Sequence, residues 1–219
     1  SVEFMDRQGV EFVKSYLKDS GKISHSLGGI LWMEWESNSE IELEALEQEI
    51  HKVFGNIASN INFARSEEEL AEIWKYRQSI GYAVKEVSSF TDVDVVVPRS
   101  KVQDLYSTVQ RICEKQQVRF SSFAHIGDGN LHINILKDGL NESEWSQRLD
   151  VIFKEIYQRA VDLGGAISGE HGVGVYQQKH LKEFFPEVNL ELNQSIKDLF
   201  DPKGILNPGV MFNKTNETK

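Results

Sequence analysis

Residues 123–134 read FAHIGDGNLHIN, a run that alternates like a strand on both sides of a Gly-Asp-Gly knot. Asp128-Gly129 is a strong hairpin signal, because both central positions of a type I′ turn take positive φ. A two-residue loop at that point pairs Gly127 with Asn130, Ile126 with Leu131, His125 with His132 and Phe123 with Asn134. Directly opposed residues share a face, with Cβ atoms about 4.5–5.5 Å apart. The register therefore predicts two imidazoles side by side, within reach of one metal ion, and Asn134 facing whatever the ion holds. The plainer alternative is a polar cross-strand pair on a wet sheet face, since histidines are more often structural than ligating.

Working outward, DVVVP at 94–98 reads as a buried strand ended by Pro98. A helix over 101–116, strands at 118–126 and 130–136, a helix over 143–163 and a last strand at 164–168 follow. Trp145, Leu149, Ile152, Phe153, Ile156 and Ala160 recur at helical spacing. The order β-α-β-β-α-β is the split βαβ, ferredoxin-like unit. Upstream, SVEFMD reads as a strand, followed by a helix, a strand over 27–36, a helix over 40–54 and a short strand at 61–65. Along 40–54, Ile41, Leu43, Leu46, Ile50 and Val53 mark the apolar side. Ser66 and Glu69 then form a capping box that opens a helix to about residue 79. The expected fold is α+β, with two ferredoxin-like halves (about 1–90 and 91–175) and an antiparallel sheet. Residues 1–185 form the domain, and 186–219 a C-terminal helical tail with a short helix near 189–200.

The 219 residues carry a formal charge of −10 and no basic cluster, which argues against nucleic acid as a partner. No apolar run approaches a membrane span, and no signal peptide is visible. The one cysteine, Cys113, excludes an internal disulfide and suggests a reducing compartment; the expected location is the cytoplasm, with the periphery of the inner membrane as the alternative. Cys113 falls on an apolar helix face with Val102, Leu105, Val109 and Ile112, so it reads as core. Beginning at Ser1 and already patterned there, the chain is expected to be part of a longer polypeptide.

GGAISGEHGVG at 164–174 places five glycines in eleven residues around the pair Glu170-His171. Such a stretch lets backbone approach a ligand closely; the alternative is a Gly-rich connection with incidental polar residues. Beside a two-histidine hairpin, Glu170 makes a third ligand, and His-His-Glu with an open position is a catalytic arrangement. His171 is then free to act as a base. Arg77 falls in register with Leu70, Ile73 and Trp74 on an apolar helical stripe. It is either a snorkelling helix-end arginine or a planar fork aimed at a carboxylate.

At IWKYR, DVVVPRSKV, FAHIGDGNLHINI, GGAISGEHGVG and FDPKGILNPGVMF, in that order, the chain resembles the C-terminal, substrate-capping domain of the FAD-linked oxidases. These flavoproteins share the flavin-binding fold of vanillyl-alcohol oxidase. They include D-lactate dehydrogenases, the flavin subunit of glycolate oxidase and D-2-hydroxyglutarate dehydrogenase. The resemblance implies FAD carried by an N-terminal domain absent from this chain, which alone is expected to be catalytically silent. It also implies a divalent metal (zinc, manganese or iron) on His125, His132 and Glu170, with His171 as the base near the flavin. Arg77 and Asn134 would bind a small 2-hydroxycarboxylate substrate, and Asn207 would lie near the flavin. The resemblance leaves the electron acceptor open and is compatible with a homodimer. Members that use dicarboxylates are similar to a pattern with lysine where this chain has Asp92, so a second substrate carboxylate is not expected. Two rival readings stay open: a non-enzymatic metal-binding α+β module, and the cap of a flavoprotein acting on sugars or cell-wall precursors.

Overall fold

A computed structural model describes residues 1–18, 28–175 and 177–212. Five strands form one antiparallel sheet: β1 (Val2–Asp6), β2 (Gly29–Met33), β3 (Phe90–Val96), β4 (Phe120–His125) and β5 (Asn130–Leu136), in the order β2-β1-β4-β5-β3. The helices are α1 (Arg7–Leu17), α2 (Glu40–Phe54), α3 (Glu67–Val87), α4 (Val102–Lys115), α5 (Glu142–Asp162), α6 (Gln178–Phe184) and α7 (Glu187–Phe200). The α+β class with an antiparallel sheet holds. Within it, β3-α4-β4-β5-α5 follows the split βαβ order, and β1 with β2 extends the same sheet beyond β4.

Alternation sorts the sheet into two faces. Val93, Val95, Ala124, Leu131, Ile133 and Ile135 point to one side, where Leu105, Val109 and Ile112 of α4 and Ile152, Phe153 and Ile156 of α5 cover them. On the other side Met5, Trp32 and Leu136 pack with Val10 and Val13 of α1 and Ile80, Ala83 and Val84 of α3. Each large aliphatic side chain so buried contributes about 1.5–3 kcal/mol. That second cover stops short of the ends of β3, β4 and β5, where the strand residues turn polar.

Several expected elements differ: the strand read at 94–98 runs instead over Phe90–Val96 and stops before Val97. The stretch at 61–65 is not a strand, because its end is used as a helix cap: the backbone N–H groups of Arg65 and Ser66 both donate to the Glu69 carboxylate. The strand expected at 164–168 shrinks to one bridge, with Ala166 and Val96 exchanging backbone bonds of 2.9 and 3.2 Å. The helix opened by Ser66 runs to Val87, past the expected residue 79. On α2 only Ile50 is buried, and Ile41 is 78% exposed.

The hairpin also departs from its expected register. His125 pairs with Asn130 and Phe123 with His132, so the loop is residues 126–129, two longer than a type I′ turn allows. Neighbouring strands hold the loop backbone. Gly127 N donates to Val2 O at 3.1 Å, and Val97 N donates to Gly129 O at 3.0 Å. Gly129 has φ +80°, and a Cβ there would lie 2.0 Å from the Val97 carbonyl oxygen, so only glycine fits. The slip amounts to two residues. Side chains alternate with a period of two, so both histidines keep their common face.

Candidate metal and substrate site

The polar end of the second sheet face gathers side chains from every strand except β2. His125 comes from β4, His132 and Asn134 from β5, Asp92 and Asp94 from β3, and Glu3 from β1. His125 and His132 are diagonal neighbours, their rings 5.4 Å apart and nearly perpendicular. Asn134 lies between Asp92 and Ser121 and not opposite Phe123 as expected. Its Nδ2 is buried with no hydrogen-bond partner among the described residues.

Glu170 and His171 reach this face on the glycine-rich loop after the Ala166 bridge. One oxygen of Asp94 organises that loop. Asp94 Oδ2 accepts the backbone N–H of Gly169 (3.1 Å), Glu170 (2.9 Å) and His171 (2.7 Å), and the Ser168 hydroxyl at 3.1 Å. Burial alone would raise the Asp94 pKa. The donated N–H groups of Glu170 and His171, with the charges of His132 and His171, outweigh burial and hold it below the usual carboxylate range. The close approach needs Gly169: a Cβ there would stand 2.3 Å from Asn130 Oδ1.

The result is a convergent set. Ligand atoms of His125, His132 and Glu170 all lie within 4.8 Å of one another. His132 Nε2 is 3.1 Å, and His125 Nε2 3.6 Å, from Glu170 Oε1. His132 is 1% exposed, yet neither ring nitrogen has a hydrogen-bond partner among the described residues. Close as it is, the Glu170 contact does not form a hydrogen bond, and a buried imidazole left without one is costly; two imidazoles with one carboxylate are a donor set that suits a divalent transition ion. Asp92, His132 and His171 meet the same spacing, with His132 Nδ1 3.8 Å from Asp92 Oδ2. His171 Nδ1 lies 3.1 Å from Asp92 Oδ2, and His171 Nε2 3.4 Å from Glu170 Oε1.

Arg77 and Asn207 do not belong to that convergent set. Arg77 is buried on α3, but its fork is already engaged: Nε and Nη2 both donate to Glu3 Oε2, at 3.0 and 2.7 Å. Its guanidinium lies over the Phe123 ring, 4.7 Å from the centroid. Asn207 is an exposed residue with φ +43° in the C-terminal loop, its carbonyl accepting from Val210 N at 3.1 Å. Asp201 fixes that loop, its carboxyl lowered to about 2, chiefly by Lys197.

Sequence reasoning missed Glu3, Asp94 and Asn130. For Asp94 a signal existed, because a carboxylate in a buried valine strand must find partners. Asn130 is buried opposite His125, and its Oδ1 has no partner among the described residues. With Val96, His125, Asp128, Gly169 and Glu170 it lines a recess beside the three-residue set.

The fold itself is shared with two solved enzyme structures. It is similar to 4-ethylphenol oxidase from Gulosibacter chungangensis (TM-score 0.65, 13% identity, 97% of this chain and 48% of that one). It is likewise similar to p-cresol methylhydroxylase (TM-score 0.63, 13% identity, 99% and 47%). Residues 1–211 match the family described as FAD linked oxidases, C-terminal domain, and the chain belongs to that family. Among sequence relatives, it is 30% identical to the glycolate oxidase subunit GlcD of Bacillus subtilis (strain 168) over 98% of its own length. It is 34% identical to a D-lactate dehydrogenase of Archaeoglobus fulgidus, again over 98% of its length. The chain spans 45% and 46% of these two relatives.

Proposed function

We propose that this chain is the substrate-side part of an FAD-dependent dehydrogenase or oxidase of D-2-hydroxycarboxylates, of the D-lactate or glycolate type. It would work with a flavin-bearing domain of the same polypeptide. The observation that carries this reading is the convergence of His125, His132 and Glu170 around a buried imidazole that has no hydrogen-bond partner among the described residues. The names of the relatives supply the reaction class.

In this reading His125, His132 and Glu170 hold a divalent ion. Bound there, a divalent ion would supply a Lewis acid for the 2-hydroxyl, and the flavin an acceptor for the C2 hydride. His171 takes the hydroxyl proton at Nε2, its Nδ1 side held by Asp92. Asn134 offers its Nδ2, which has no partner among the described residues, to a substrate oxygen. The outer edge of Arg77, away from Glu3, meets the carboxylate. Asp92 and Asp94 stand on the same face and repel a second carboxylate, which favours a monocarboxylate. Asn207 would approach the flavin from the C-terminal loop.

The test is anaerobic bleaching of the flavin in the full polypeptide by D-lactate, glycolate and D-2-hydroxyglutarate. We expect bleaching by the first or second, loss after chelation, restoration by a divalent ion, and little response to the dicarboxylate. Bleaching that survives both chelation and His132→Ala would overturn the metal-assisted reading.

A further inference from the structure

Glu3 occupies a place that no pattern in the sequence marks. It is the second residue of β1, 6% exposed, and its two oxygens serve different partners. Oε1 lies 2.9 Å from His125 Nδ1, while Oε2 accepts both Arg77 Nε and Arg77 Nη2. A buried carboxylate is costly unless paired and hydrogen-bonded, and here Arg77 supplies the counter-charge. Arg77 is fixed in turn by the Phe123 ring beneath it, and Phe123 stacks on His132 with centroids 4.6 Å apart. The two candidate ligand histidines therefore share one buried support.

The consequence for His125 is chemical. With Nδ1–H donated to Glu3 Oε1, the lone pair of the neutral ring sits on Nε2, the nitrogen that faces Glu170 at 3.6 Å. A carboxylate behind an imidazole fixes its tautomer and orientation and makes it a better ligand. We propose that Glu3 is a positioning residue that sets the affinity of the His125/His132/Glu170 set for a divalent cation, acting through His125 with Arg77 as its counter-ion. This rests on the metal-binding reading given above.

Zinc affinity of the full polypeptide, measured at pH 7.5 by competition with a chelating dye, tests it. Wild type should bind one equivalent at this set, and Glu3→Gln should bind about 10–100-fold more weakly. Because Glu3→Gln leaves Arg77 buried without a counter-charge, Glu3→Gln/Arg77→Met is measured beside it. That pair keeps the volume and removes both charges, and the same weakening is expected. In a His125→Ala background the Glu3→Gln change should have no further effect. A merely structural Glu3 would weaken binding there too, and that result would overturn the proposal. So would wild-type affinity in both Glu3 variants. If wild type itself binds no zinc, the metal reading fails, and Glu3 loses its role with it.

Discussion

Asp94 accepts the backbone N–H of His171 at 2.7 Å across the gap between β3 and the glycine-rich loop. The same oxygen takes three further donors, so one carboxylate holds both Glu170 and His171 against the sheet. Asp94→Ala should leave those N–H groups without an acceptor and release the loop. Losing a charged acceptor costs about 1.5–3 kcal/mol, which thermal or urea unfolding will register. Because its folded pKa is depressed, the stability Asp94 contributes is present above its unfolded value of 3.8 and lost as pH falls through the folded one. Asp94→Asn should therefore flatten the acid limb of the stability curve; an unchanged limb and melting temperature would mean that the loop holds itself.

Asp6 runs the other way. It caps α1 through Gly9 N and also accepts from Ser122 N and Tyr106 Oη. Burial outweighs those bonds and raises its carboxyl from 3.8 to about 6. The folded state then holds a proton that the unfolded state has released, so stability falls as pH rises from about 4 to about 6. Fully expressed, that shift is worth about 3 kcal/mol. Asp6→Asn should remove this slope, and the wild-type minus variant difference across pH 4–7 measures it. A flat difference would refute the raised pKa.

Both carboxylates illustrate what the sequence could and could not carry. The strand at 130–136 and the helices at 102–115 and 142–162 were legible to within a residue, because side-chain periodicity is local; the strand read at 94–98 caught only the end of β3, which starts at Phe90, before the valine run. His125, His132 and Glu170 were legible as a set because a shift of two residues leaves side chains on their face. The loop length was not, since it is decided by Val2 and Val97, remote in sequence. Glu3 and Arg77 are 74 residues apart, and nothing in SVEFMD distinguishes a buried glutamate from a solvated one. The 61–65 strand failed because a cap took the backbone groups a strand would need.

Cys113 should be chemically silent while the chain is folded. It is buried on α4, and burial pushes its thiol up to about 12, so very little thiolate exists at pH 8. Labelling by a thiol reagent should be slow, and accelerate sharply in denaturant. Fast labelling under native conditions would show that α4 opens locally.

Gly169→Ala should damage the site more than the fold. The new Cβ would meet Asn130 Oδ1 at 2.3 Å, forcing either the buried asparagine or the loop to move. Overpacking of this kind costs about 1–3 kcal/mol. We expect zinc affinity to fall by at least as large a factor as in Glu3→Gln, with the secondary structure retained by circular dichroism. Unchanged affinity would mean that the loop position does not matter to the ligand set.

Arg77 gives the sharpest division between holding the fold and holding the substrate. Its planar edge places two donors on one oxygen of Glu3 and stacks over Phe123, and a lysine can do only part of this. Removing one partner of a buried pair costs about 3–5 kcal/mol, so Arg77→Ala should be strongly destabilised, with Arg77→Lys between it and wild type. Arg77→Met combined with Glu3→Gln leaves no unpaired charge and should recover much of the loss, a coupling a double-mutant cycle measures directly. Kinetics of the full polypeptide separate the substrate role. If the outer edge of Arg77 also meets the carboxylate, Arg77→Lys lowers kcat/KM by about one to two decades, the worth of a charge-assisted contact. His171→Ala should instead depress kcat, because a base acts on the transition state. An Arg77→Lys enzyme that melts early but keeps its kcat/KM would confine Arg77 to Glu3, and Asn134 would be left as the substrate anchor on this face.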